Sequence, residues 1–198
     1  MKYFDTLPKI IQYDGKGNSK ILTNIMARAS VVPDIANNPL VFYEYDIQDG
    51  DTPEIVAHKY YGDSYRYWII LYVNNKLDPQ WDWPLTGQNF NAYIADKYSE
   101  VDPYSTVHGY QKIITQYDSG TNTTTVNKVE IDEDTYNSLV DSTNTYSLPT
   151  GSVTVSIEGK VVSVYEYELE LNESKRRIML LNNTYVRQFE SEFKKLMN

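Results

Sequence analysis

The residues able to do chemistry are few, and their spacing serves it poorly. Glu166, Glu168 and Glu170 alternate, so a strand running through them would hold all three on one face. Paired carboxylates cleave glycosides only when they face each other across a cleft in unlike environments. Three in a row on a strand form a solvated or partner-facing surface instead. Asp46, Asp49, Asp51 and Glu54 suggest calcium, but an EF-hand loop needs acids at its first, third and fifth positions and glycine at its sixth, and this order fails. Gly15-Lys16-Gly17-Asn18-Ser19-Lys20 opens like a dinucleotide fingerprint, yet Lys20 stands where the third glycine belongs and no βαβ pattern surrounds it, so it reads as a hairpin turn. His58 falls one position off the apolar stripe of a helix, and His108 has no acid or nucleophile nearby in sequence. No catalytic constellation emerges, so the expectation is a protein that is not an enzyme and holds neither cofactor nor metal.

Composition narrows the class further. The 198 residues include no cysteine and two histidines, which removes disulfides, thiolate nucleophiles and multi-histidine metal sites. Eighteen Lys and Arg against 27 Asp and Glu give a net charge of −9, the wrong sign for gripping a nucleic-acid backbone. The longest apolar run, Trp68-Ile69-Ile70-Leu71-Tyr72-Val73, is far short of the ~20 residues of a membrane span. Met1-Lys2-Tyr3-Phe4-Asp5 lacks the basic-then-apolar layout of a secretory signal. Tyrosine is abundant, 19 residues against 5 Phe and 3 Trp. A rigid face with one polar tip suits protein or sugar contacts, and it also suits β-strands, so both readings stand.

The elements that would position these residues fall into three stretches. Residues 1–40 read as an extended arm: a short strand at Ile10-Ile11-Gln12-Tyr13, a turn at 14–18, a strand or short helix at 21–27, and breaks at Val32-Pro33-Asp34 and Asn37-Asn38-Pro39. Residues 41–98 begin with a half-buried strand, Val41–Ile47, and a turn at 48–51. Asp51 or Thr52 can cap a helix with Pro53 and Glu54 in its first turn, burying Ile55, Val56 and Tyr60 and closing at Gly62. Asp63 or Ser64 caps a second helix with Trp68, Leu71 and Tyr72 on one face, ended by Asn74-Asn75. An ordered loop carrying Trp81, Trp83 and two prolines follows, then a helix over 89–98 presenting Phe90, Tyr93 and Ile94. Residues 99–198 turn β-rich: strands at 109–115 and 123–131 around a turn at 118–122, strands at 153–157 and 161–169 around a hairpin at 158–160, and another at 177–181. The chain closes with a helix from about Thr184 whose stripe is Tyr185, Phe189, Phe193 and Leu196. Because that helix is terminal and amphipathic, removal of 184–198 is expected to leave a folded protein. The fold class is therefore α+β, an irregular arm, a small helical module and an antiparallel β-rich region with a C-terminal helix.

Residues 45–62, from Tyr45-Asp46-Ile47 through Gly50-Asp51-Thr52-Pro53-Glu54 to Tyr60-Tyr61-Gly62, resemble a LysM motif, with Leu71 and Asn74 or Asn75 matching its second helix. The resemblance implies a βαα(β) module with Ile47, Ile55, Tyr60, Trp68, Leu71 and Tyr72 as its core. A wider run occurs in order: Phe4 to Pro8, Thr23-Asn24-Ile25, the 50–54 turn, Lys59-Tyr60-Tyr61-Gly62-Asp63, Trp68-Ile69-Ile70-Leu71, Asp82-Trp83-Pro84-Leu85 and Glu170-Leu171-Asn172-Glu173-Ser174-Lys175-Arg176. This run is similar to the small baseplate wedge proteins of T-even-like contractile-tailed bacteriophages. It implies a structural subunit of the virion tail baseplate, assembled in the host cytoplasm, whose partners are other wedge proteins and neighbouring wedges rather than nucleic acid or membrane. Trp81, Trp83, Tyr185, Phe189 and Phe193 are then the candidate partner contacts. Residues 41–83 carry eight acids against three bases, and the Trp81–Pro84 loop stands where a glycan-binding LysM module has its closing strand. The module is therefore expected to serve protein contacts, with peptidoglycan or glycan binding as the alternative.

Overall fold

A computed structural model describes residues 3–27 and 40–197. The expected breaks at 32–34 and 37–39 lie outside the described residues. The chain is α+β and divides into two compact units, 1–87 with 172–198, and 88–171. The division expected from sequence cuts the chain at 40/41 and 98/99 instead.

In the first unit a short 3-10 turn, Tyr3–Asp5, leads into the antiparallel hairpin β1 (Lys9–Tyr13) and β2 (Ser19–Thr23). Strand β3 (Phe42–Asp46) is followed by helix α1 (Pro53–Tyr61), a 3-10 turn Ser64–Arg66 and helix α2 (Tyr67–Val73). Local signals set these bounds. Thr52 accepts the Ile55 N–H at the N-terminus of α1, Pro53 occupies the first turn where its missing N–H costs nothing, and Gly62 closes the helix at φ +70°. Asp63 caps the 3-10 turn through the Tyr65 N–H. The partner of β3 comes from the far end of the chain: β8 (Arg177–Leu181) pairs with it antiparallel, Phe42 opposite Leu181 and Asp46 opposite Arg177. The terminal helix α6 (Val186–Met197) follows.

One core fills this unit: Leu7, Phe42, Ile47, Val56, Ala57, Tyr61, Trp68, Ile69, Ile70, Trp83, Ile178, Leu180, Leu181, Val186, Phe193 and Met197. The core corrects several expectations. Ile55 is exposed and Tyr60 only partly buried, because α1 turns Val56, Ala57 and Tyr61 inward. Trp68 is buried as expected, but Leu71 and Tyr72 lie at the core's margin, and Ile69 and Ile70 are, with Ala57, its most enclosed members. Helix α6 is no detachable tail. Phe193 packs against Trp68, Tyr72 and Tyr3 at ring-centroid separations of 4.8, 5.3 and 5.9 Å, while Leu196 points to solvent.

The second unit contains α3 (Gly87–Lys97, its first residue in the first unit), β4 (Val107–Asp118), β5 (Thr123–Ile131), α4 (Glu133–Ser138), β6 (Ser142–Leu148), β7 (Gly151–Ser163) and the start of α5 (Val164–Ser174). Its strands form one antiparallel sheet ordered β5-β4-β7-β6. The hairpin at Asp118–Asn122 is where the sequence places it. The hairpin expected at 158–160 is not: β7 runs straight through, and the reversal comes earlier, between Leu148 and Gly151. Residues 164–174 are helical rather than extended. The buried positions of α5 are Val164, Glu168 and Asn172, a spacing of four in which two of the three residues are polar.

Candidate functional site

The Gly50–Glu54 turn is organised around Asp51. Its carboxylate is buried and accepts hydrogen bonds from Lys59 Nζ at 2.6 Å, the Tyr45 hydroxyl at 2.7 Å and the Gln48 N–H at 3.2 Å. Burial alone would raise the carboxyl's pKa, but those donors outweigh it and hold it below the ordinary 3.8. Burial, with the Asp51 hydrogen bond and charge beside it, pushes the Tyr45 hydroxyl up to about 12. The Asp51 carbonyl accepts the indole N–H of Trp83 at 2.7 Å. Asp51 thus joins strand β3, helix α1 and the tryptophan loop.

The same loop is locked by its own acids. Asp82 accepts the N–H groups of Leu77 and Asp78, both at 2.9 Å, and Asp78 accepts that of Gln80 at 2.9 Å. Residues 172–176 then fasten it from the other side. The buried Asn172 side chain accepts the Leu85 N–H at 2.7 Å and donates to the Leu85 carbonyl at 3.1 Å, reproducing a strand-like pair with one amide. Lys175 donates to the Trp81 carbonyl and Arg176 to the Ile47 carbonyl, while the Arg176 carbonyl accepts the Ile47 N–H. Asn74 works in the same way on β8, accepting the Met179 N–H at 2.7 Å and donating to the Met179 carbonyl at 2.8 Å. The separate sequence runs at 50–54, 82–85 and 170–176 therefore meet largely in one framework.

Among the five candidate contacts the structure separates two kinds. Trp83 and Phe193 are buried within the chain's own core, and Phe189 packs against its edge beside Trp68 and Tyr72. Trp81 is 53% exposed and Tyr185 39%. Trp83 is unavailable as a sugar platform because the framework already uses both its ring and its N–H.

In the second unit the three glutamates do not share a face. Glu168 is buried and meets Lys97 Nζ and the Tyr98 hydroxyl, each at 2.7 Å, whereas Glu166 pairs with Lys160 and Glu170 with Lys128. Burial opposes ionisation of Glu168, yet Lys97 and Tyr98 together keep its pKa below the ordinary 4.5. Each carboxylate has a structural partner. His108 stacks on Tyr167 at 3.6 Å, and His58 lies exposed on α1. Among the described residues no three His, Cys, Asp or Glu side chains gather as a metal site would require, and no helix is long and apolar enough to cross a membrane.

What the arrangement offers is surface. Exposed apolar side chains concentrate on the N-terminal hairpin, with Ile10, Ile11, Tyr13, Ile21 and Leu22, and on the sheet of the second unit, with Val126, Val129, Tyr146 and Leu148. Apolar side chains left in water on strands are suited to contact with other proteins. Sequence reasoning missed Asn172 and Lys59 as framework residues. Their signal was present, since both lie inside the runs that carry the family resemblance. A family model described as base plate wedge protein 53 matches residues 17–196. No curated protein matches the chain.

Proposed function

Because this chain belongs to the base plate wedge protein 53 family and is a structural protein of the phage tail baseplate, we propose that it joins wedge components to one another and links neighbouring wedges during baseplate assembly. The match over residues 17–196 carries this reading, since it takes in the whole second unit with its exposed sheet, most of the first unit, and Ile21 and Leu22 of the hairpin. The first unit acts as a rigid frame. Its βαα order, closed by β8 as antiparallel partner of β3, supports a LysM-like module whose closing strand arrives after the second unit. Internal use of Trp83 and the acid excess of 41–83 favour protein contacts over sugar for that module.

The test is sedimentation of the purified chain with wedge precursors, with insoluble peptidoglycan in parallel. Co-sedimentation with the wedge and not with the wall is expected. Binding to the wall alone would overturn the reading and return Trp81 to the role of a sugar contact.

A further inference from the structure

Two sheets in this chain are unfinished. The first is the β1–β2 hairpin, whose register places Ile11, Tyr13 and Ile21 on one face and Ile10 and Leu22 on the other, all exposed. A lone two-stranded hairpin is marginal in water. This one is nonetheless held in shape at both ends. At the tip, the Asp14 carboxylate accepts the Asn18 N–H and side-chain amide, each at 2.8 Å, and the Lys16 N–H at 3.1 Å. At the root, the Asn24 N–H donates to the Pro8 carbonyl at 2.8 Å beside the buried Leu7. It is a preorganised two-stranded piece held out to solvent.

The second unfinished sheet ends at β6. Edge strands are normally blunted by charge, proline or a bulge. Ser142–Leu148 carries no charged residue and no proline, and it pairs with β7 in an unbroken register. The opposite edge, β5, bears Lys128 and Glu130. Beside β6 the sheet's apolar face continues from Tyr146 and Leu148 to Val153 and Val155. Charge separates the two regions. Residues 9–23 hold three lysines and one aspartate, whereas 88–171 hold 13 acids and four bases and so carry the whole net charge of −9.

We propose that the β1–β2 hairpin of one copy adds to the β6 edge of a second copy, extending the four-stranded sheet. The occupant is a second copy because the chain itself supplies both the open edge and a hairpin of net positive charge suited to a unit whose net charge is −9, with Asp141 at the head of β6. With Ile11, Tyr13 and Ile21 continuing the apolar face, Gln12 and Lys20 fall on the face of Thr143 and Thr145. The contact is head-to-tail: each copy gives its hairpin to the next and receives one from the last, which closes into a ring where the rotation allows. This deepens the linking role above by naming the partner, and its cross-linking and sedimentation tests use the purified chain alone.

The absence of cysteine makes the test clean. Chains carrying Gln12→Cys or Lys20→Cys are mixed with chains carrying Thr145→Cys under mild oxidation, with Thr125→Cys on the β5 edge as the control partner. Disulfide-linked pairs of hairpin and Thr145 variants are expected, several-fold in excess over pairs with Thr125→Cys. Sedimentation of the unmodified full chain is expected to show self-association that rises with concentration, weakens with salt and is lost when a short loop replaces 9–23. Unchanged thermal unfolding of that variant confirms that its body is intact. A chain monomeric at all concentrations, equal cross-linking to Thr125→Cys, or association that survives the loop replacement would each overturn the proposal. If the chain is monomeric but the loop variant fails to enter particles, the hairpin meets a different baseplate protein. The second-copy assignment then falls while the linking role stands.

Discussion

Asp51 is a small, buried residue on which three pieces of chain depend, and its replacement tests the framework directly. Asp51→Ala leaves Tyr45 and the Gln48 N–H short of an acceptor, and a loss of about 2–3 kcal/mol is expected from the denaturation midpoint. The pH dependence has a definite sign. The folded-state pKa of Asp51 lies below 3.8 and that of Glu168 below 4.5, so the stability each contributes is complete above those values and fades as pH falls through the lower folded ones. Acidification from about pH 5 towards 3 should therefore destabilise the unmodified chain more than Asp51→Asn, as read by unfolding midpoints across that interval. Gly62 is a second point test. A Cβ there meets nothing within 4 Å, so Gly62→Ala isolates the backbone cost of φ +70°, about 1 kcal/mol. The turn at 48–51, a cap at Asp51 or Thr52 and the close at Gly62 are legible from sequence because turns and caps are a local affair of hydrogen bonds and dihedrals. The buried face of α1 and α2 is not. Ile55 and Ile70 are the same residue type, and only the tertiary packing around each helix decides which is enclosed.

At the scale of elements, the terminal helix carries the clearest expectation. Phe193→Ala should cost about 3–5 kcal/mol, and a chain lacking 184–198 should fail to give cooperative unfolding, because Val186, Phe193 and Met197 are core residues. A truncated chain that unfolds cooperatively with an unchanged midpoint would contradict this packing. The α5 helix shows why one element escaped sequence reading. Glutamate, tyrosine and leucine alternate through 165–171 in a strand-like period, while the helical face is marked by Val164, Glu168 and Asn172, which hydrophobicity cannot register. Glu168 is tolerated inside because Lys97 and Tyr98 answer its charge. The β4–β5 hairpin, by contrast, was plain in sequence, since its strands and its Asp118–Asn122 turn are neighbours along the chain.

For the whole molecule, the pairing of Asn172 with Leu85 implies that the first unit does not need the second for its closure. Replacing 88–171 by a short Gly/Ser linker should leave a protein with a single unfolding transition, monitored by circular dichroism; loss of that transition would show that the units depend on each other. The same interruption orders events during synthesis. Asp46 and its register partner Arg177 are 131 residues apart. At about 5–20 residues per second, translation of that stretch takes roughly 7–26 seconds, during which β3 has no partner while residues 88–171 can already form their sheet. Because α6 and β8 are both needed to close the first unit, a prematurely terminated chain never acquires its frame. The fold thus screens nascent chains for completeness before any of them can be built into a particle.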